Sequence, residues 1–339
     1  MSNCVSARAK NVVVVGGGTG NVTTLSGLKN QGCNLAAVVA MIDSGGSSGR
    51  LREELGHLPH GDIRRCLIAL STDDCRDNLM RRLFDFRFSS GDGLNGHNFG
   101  NLLLSALTEI TGNTITAIDT ASQMLGVKGT VLPVTLTRAT LVARLEDGTE
   151  LVGEAAIDLR RDNLNIGIDY LHLHPKAYVY PPVLEAIGNA DAIVLGPGDI
   201  YTNILPNLIV DDVAEAINRS KGIKIYVCNL MTKPGESDGF KASTFVKLIL
   251  EYLGSTGPLD YMIFNESPFP RRILQRYSGD DQYPVELDLE ECQKLVKNIV
   301  RRPLLATGVN LRHDPPSLAK AIMEVLTIKI PETQVVREK

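Results

Sequence analysis

No apolar run in this chain reaches the roughly 18 residues needed to cross a bilayer, and Met1 to Lys10 contain no apolar stretch of signal-peptide type. The expectation is a cytoplasmic protein with no membrane insertion. Positive charge is not in excess either: 35 basic against 39 acidic residues leave a net charge of −4, so nothing global attracts nucleic acid. The six cysteines, Cys4, Cys33, Cys66, Cys75, Cys228 and Cys292, form no C-x-x-C pair and read as reduced thiols rather than a structural zinc site. Internal repeats, low-complexity tracts and long linkers are absent. With 43% hydrophobic and 22% charged residues over 339 positions, the chain has the composition of a folded globular protein.

The apolar segments have a clear order. Asn11 to Val15 is a β-branched run that ends abruptly in Gly16-Gly17-Gly18-Thr19-Gly20, the way a buried parallel strand enters a glycine turn. Val22, Leu25 and Leu28 follow at helical spacing, and Leu35 to Ile42 make a second apolar run. This β-loop-α-β unit opens a doubly wound sheet. Residues 50–125 read as mostly helical, interrupted by a glycine-rich loop over 89–100. The period then changes to two, and Glu146-Asp147-Gly148-Thr149 between two short runs predicts an antiparallel hairpin. A β-rich insertion is therefore expected over about 129–178, within a single α/β domain spanning 1–339. Ala192–Leu195, Lys224–Cys228 and Tyr261–Phe264 are the later strands, and Val213–Arg219, Ala242–Leu253 and Ser317–Leu326 the helices that cover them.

A glycine loop between strand and helix lets backbone N–H groups approach an anion, to which the helix N-terminus is attractive. Gly16, Gly17, Gly18, Thr19, Gly20 and Asn21 are candidates for that role. The Walker pattern is missing, because Asn21 and Val22 stand where Lys and Ser or Thr belong, and the Rossmann G-x-G-x-x-G is met only loosely. The second strand runs into Asp43-Ser44-Gly45-Gly46-Ser47-Ser48-Gly49-Arg50. Here Asp43 would hold a divalent cation or a sugar hydroxyl, Ser47 and Ser48 would donate to phosphate, and Arg50 would neutralise it. Asp62 stands at a helix start, where it serves equally as a first-turn acid. His97, Asn98 and Asn101 bring imidazole and amide groups into another loop, and Gly196-Pro197-Gly198 follows a later apolar strand. In an open α/β sheet such strand-end loops form the ligand crevice.

Six ordered motifs carry a family resemblance: Gly16 to Gly20, Gly45-Gly-Ser-Ser-Gly-Arg-Leu-Arg52, Leu58-Pro-His-Gly-Asp-Ile-Arg64, Gly96-His-Asn-Phe-Gly-Asn101, Gly196-Pro-Gly198 and Tyr226-Val-Cys-Asn-Leu-Met231. Together they resemble the YvcK branch of the CofD/YvcK family, from about residue 11 to about residue 327. The resemblance implies a Rossmann-like (CofD-like) parallel sheet with helices on both faces, usually dimeric, with a nucleotide site between the glycine loops. In this branch the ligand is a UDP-sugar and the role is in carbon-source-dependent morphogenesis and cell-wall growth. The CofD branch instead transfers a phospholactyl group from a guanosine-linked donor to a deazaflavin with Mg²⁺. A nucleotide-sugar-binding regulator is thus expected ahead of an enzyme, with a CofD-like transferase or an NAD-binding protein as alternatives.

Three departures accompany the likeness. Asp43-Ser44 replaces two consecutive acids, which leaves Asp43 and Asp62 as the candidates for any Mg²⁺ and predicts that no metal is required. His60 replaces a proline and would alter ligand choice. Asn21-Val22-Thr23 departs from the usual continuation of the first loop. Further matches make Tyr277 a candidate to stack on a base and Arg312 a candidate to reach a phosphate, with core packing for the tyrosine and surface pairing with Asp314 for the arginine as equal alternatives.

Overall fold

Four consecutive valines cannot all face one side of a strand, since successive side chains point to opposite faces. In β1 (Asn11–Gly16) they divide: Val13 and Val15 join the core on one face of a sheet, Val12 and Val14 the core on the other. All four are at most 2% exposed, and each contributes roughly 1.5 kcal/mol or more by burial. β7 (Ala192–Leu195) divides in the same way. Strands apolar on both faces need cover on both, which a parallel sheet with crossover helices supplies.

The computed structural model describes residues 8–72, 79–160, 162 and 164–327. With β2 (Asn34–Val39), β3 (Thr130–Pro133), β8 (Ile223–Val227), β9 (Leu259–Asn265) and β10 (Val296–Arg302), these strands form a seven-stranded sheet in the order β10-β9-β8-β7-β1-β2-β3. Every pairing in it is parallel. Helices Gly18–Leu28, Gly61–Leu70, Thr114–Leu125 and Pro315–Thr327 bury their apolar stripes on one face. Helices Pro181–Gly188, Val213–Arg219 and Ala242–Leu253 cover the other. They share it with an antiparallel sheet of β4 (Thr140–Leu145), β5 (Glu150–Val152) and β6 (Ile168–His174), ordered β5-β4-β6. The expected Rossmann-like fold with helices on both faces is present.

Two boundaries differ from the sequence reading. The insertion's own sheet is narrower than 129–178, because β3 pairs parallel with β2 and belongs to the main sheet. The strand β10, not expected at all, carries Lys297, Arg301 and Arg302 and is half exposed, as an edge strand protected by charge should be. The predicted hairpin is there, with Gly148 at φ +87° and Thr149 N donating to Asp147 Oδ1 at 2.9 Å. Cys33, Cys66, Cys228 and Cys292 are unpaired thiols, while Cys4 and Cys75 lie outside the described residues.

The helix Gly18–Leu28 is clamped against Pro315–Thr327 at Gly27, where a Cβ would lie 2.2 Å from the Pro315 carbonyl oxygen. At Gly188 a Cβ would meet nothing within 4 Å. In chemical denaturation Gly27→Ala is expected to lose about 2 kcal/mol or more to overpacking, although Ala is the better helix former. Gly188→Ala is expected to be neutral or slightly stabilising, and equal effects at both sites would refute the clamp.

Candidate functional site

Strand order reverses where β1 lies between β2 and β7, so the loops after β1 and β7 leave the sheet side by side. They touch more closely than any side chain would permit: a Cβ on Gly20 would lie 2.0 Å from the Pro197 carbonyl oxygen. Gly20 is therefore a packing glycine, required by the facing loop. Gly18 adopts φ +62°, and Gly17 is extended. The Gly18 N–H is already taken by Asp62 Oδ1 at 3.0 Å, and Arg65 Nε donates to the same oxygen at 3.0 Å. The N–H groups of Thr19 and Gly20 precede the first helical bond, from Asn21 N to Gly17 O at 3.4 Å, and are the amides left for an anion.

Two cavities meet at this point. The larger, about 470 Å³, is lined by Gly17 to Gly20, Asp43, Gly46, Ser47, Ser48, Asp62 and Asn101, and by Gly198 from the facing loop. The smaller, about 270 Å³, is lined by Pro197, Gly198, Tyr277 and Arg312 together with Gln282 and His313. Thr19, Gly20, Gly198 and Asp199 line both. Tyr277 is held in place on two sides: its Oη accepts from Leu311 N at 3.0 Å, and the Arg276 guanidinium lies 5.2 Å from its ring centroid.

Behind the larger cavity is a layer of polar contacts. Ser47 Oγ and His97 Nδ1 are 3.2 Å apart, and Asn98 N donates to Ser47 Oγ at 3.2 Å. Asn98 also caps helix Phe99–Thr111 by accepting from Asn101 N, while Asn101 Nδ2 donates to Ser48 Oγ at 3.2 Å. His97 is 4% exposed and burial lowers its pKa, so it acts as a neutral brace behind Ser47.

Several expected residues lie elsewhere. Arg50 is turned away from the cavity, its Nη2 donating to Asn95 O at 3.0 Å. Arg64, Arg65 and Arg87 are the guanidinium groups that reach the larger cavity. Asn21 is fully buried and points its amide at Cys66 Sγ, 3.6 Å away. Gly16 ends β1 without lining either cavity, and Gly196, at φ +75°, sets the bend before Pro197. Ser44 docks the insertion, accepting from Ala155 N at 2.9 Å. His60 is 2% exposed and lines neither cavity; burial, with His57 nearby, pushes its pKa down to about 4.

The sequence reading missed the acidic side of the cleft. Glu154 and Asp158 arrive from the insertion, and Asp199 from the turn after β7. With Asp43 and Asp62 they put five carboxylates against three arginines in the lining. Thr202 and Asn203 also enter, carried by a wide turn in which Ile204 N bonds to Asp199 O, five residues back, at 3.2 Å. Burial, with Asp43 and Asp158 adding repulsion, raises Glu154 to about 7; burial also raises Asp43. As for a metal, Asp43 Oδ1 already accepts from Gly45 N at 3.0 Å and Asp62 is bonded to Gly18 N and Arg65. Among the described residues, the ligand-type side chains close enough to share one ion are instead Asp158, Asp199 and Glu236.

Fold and crevice define a doubly wound α/β protein with its cavity at the switch point of the sheet. Residues 12–305 match the family described as 2-phospho-L-lactate transferase CofD, and the chain belongs to that family, in its gluconeogenesis-factor (YvcK) type. The gluconeogenesis factor of Bacillus subtilis is 36% identical over 93% of this chain and 98% of its own length. A Nostoc sp. protein is 42% identical over 94% of this chain and 69% of its own. The crystal structure of a Bacillus halodurans protein, 39% identical, superposes with a TM-score of 0.88 over 93% of this chain and 100% of that one.

Glu154 gives the site a measurable pH signature. Its folded pKa is raised above the ordinary 4.5, so the stability gained from the protonated form is complete below about 4.5 and is lost as pH rises through about 7. Carbon-13 NMR should show a Glu154 midpoint near 7 that moves down in Asp43→Asn. Wild type should lose about 2 kcal/mol relative to Glu154→Gln between pH 5 and 8. A midpoint within the ordinary carboxyl range would refute this reading of the acidic wall.

Proposed function

We propose that this chain is a nucleotide-sugar-binding regulatory protein that takes a UDP-sugar across the two cavities. The observation that carries this reading is their meeting at Thr19, Gly20, Gly198 and Asp199. A diphosphate laid there reaches the free amides of the helix N-terminus. The smaller cavity suits a single nucleoside, with the braced Tyr277 ring as a stacking platform and Arg312 beside it. The larger, with Ser47, Ser48 and the carboxylates, suits the hydroxyls of a sugar. The family resemblance drawn from the sequence motifs implies the same ligand class, and a cytoplasmic homodimer acting in carbon-source-dependent morphogenesis and cell-wall growth is the biological setting we assign to it.

A second reading, transfer of a phospholactyl group, is favoured by Glu154, a carboxyl that titrates near neutrality at the cavity wall, as a general base needs to. Incubation with a guanosine-linked phospholactate donor, a deazaflavin acceptor and Mg²⁺ separates the two. Product that disappears in Glu154→Gln would replace the binding reading with the enzymatic one.

Thermal shift provides the direct test. At about 100-fold excess over Kd, UDP-glucose and its N-acetylamino counterpart are expected to raise Tm by roughly 5 °C, and GDP, ATP or NAD by less. Tyr277→Ala should reduce affinity about tenfold while leaving the unliganded Tm within a few degrees. A larger shift with a guanine nucleotide or NAD would overturn the ligand assignment.

A further inference from the structure

One charged cluster belongs to neither cavity alone. Lys233, in the loop after β8, directs its ammonium at Asp199 Oδ2 (2.8 Å), Glu236 Oε1 (2.7 Å) and Asp158 Oδ1. The three acids come from three parts of the chain: the end of helix Glu154–Asp158, the turn after β7 and the loop of Lys233 itself. Their oxygens lie within 4.8 Å of one another, a spacing at which carboxylates share a hard divalent cation. Here the centre is filled by the lysine. The arrangement is anchored, since Lys233 N donates to Ser237 Oγ at 2.9 Å and the Glu236 side chain is 1% exposed. Asp158 and Asp199 line the larger cavity, Asp199 and Lys233 the smaller, so the ammonium stands in the partition between them.

We propose that Lys233 is a built-in cation: it occupies the place a divalent metal would take among Asp158, Asp199 and Glu236, and it supplies positive charge to a ligand diphosphate crossing the partition. The second half rests on the nucleotide-sugar reading, whereas the first stands without it. An ammonium and a divalent ion exclude each other from one small group of carboxylates. This chain therefore binds its ligand without metal, and loss of the lysine turns the triad into a metal site.

The experiment uses Mn²⁺ as the probe, followed by electron paramagnetic resonance and calorimetry on the whole chain. Wild type and Lys233→Arg, which keeps a cation in place, are expected to bind no specific Mn²⁺. Lys233→Gln, which removes the ammonium and shortens the side chain, is expected to bind one. UDP-glucose affinity in wild type should change less than about threefold between Mg²⁺ and EDTA. In Lys233→Gln it should fall at least tenfold in EDTA, about 1.4 kcal/mol, and return with Mg²⁺ or Mn²⁺. If Lys233→Gln does not fold, Lys233→Gln with Glu236→Gln removes one buried charge and should bind Mn²⁺ through Asp158 and Asp199. Equal Mn²⁺ affinity in wild type and variant, or none in either lysine variant, overturns the proposal whatever the nucleotide does. If no UDP-sugar binds wild type, the nucleotide reading falls while the Mn²⁺ result still decides whether Lys233 stands in for a metal.

Discussion

The contact between two backbone loops at the switch point of the sheet governs the rest of this structure. Gly20 abuts the Pro197 carbonyl so closely that even a methyl group would not fit, which fixes the first turn of helix Gly18–Leu28 against the loop after β7. That helix is also pinned at Gly27 by Pro315, so its axis is set at both ends by glycines chosen for their missing side chains. Because the helix cannot shift, its free N–H groups point at one fixed place, and both cavities are built outward from there. The glycines of the first loop thus have different duties: Gly18 needs its positive φ, Gly20 needs its neighbour's space.

The electrostatics of the crevice differ from those of an ordinary phosphate site. Its arginines are largely committed: Arg64 to Asn101 and Asp85, Arg65 to Asp62, Arg87 to the Gly96 carbonyl. Five carboxylates line the larger cavity. An anion entering it gains from directed amides and from few free cations, while sugar hydroxyls find many acceptors. This division favours a ligand with a compact anionic centre and a neutral polyhydroxy end over one carrying charge throughout.

The chain's order of strands and glycine turns was legible in the sequence because it depends on local pattern: β-branched runs, helical spacing and glycines at their junctions. The three glycine loops and the loop carrying His97 converge as a doubly wound sheet requires. What could not be read is where long side chains turn. Arg50 sits one turn into its helix beside two cavity serines yet bonds to Asn95, and nothing local distinguishes those outcomes. Glu154, Asp158 and Lys233 reach the crevice only through the packing of the insertion and of a loop some 75 residues further on. Strand β10 was hidden by its charges, since Lys297, Asn298, Arg301 and Arg302 leave no apolar alternation over its length.

Position 44, read from the family resemblance as the loss of an acid, shows how sequence and space diverge. At the level of the motif a carboxylate is lost. In the fold, Ser44 Oγ takes the Ala155 N–H and so holds helix Glu154–Asp158 against the crevice, with Glu154 Oε2 3.4 Å from Ser44 N. A carboxylate therefore stands beside position 44 after all, delivered by the insertion rather than by the loop. Since Asp158, on the same short helix, also meets Lys233, this one hydroxyl links the second strand's loop to the charged partition. The loops of the parallel sheet supply the helix-end amides together with Asp43, Asp62 and Asp199, and the insertion docked through Ser44 adds Glu154 and Asp158, so the acidic wall is completed across that one contact.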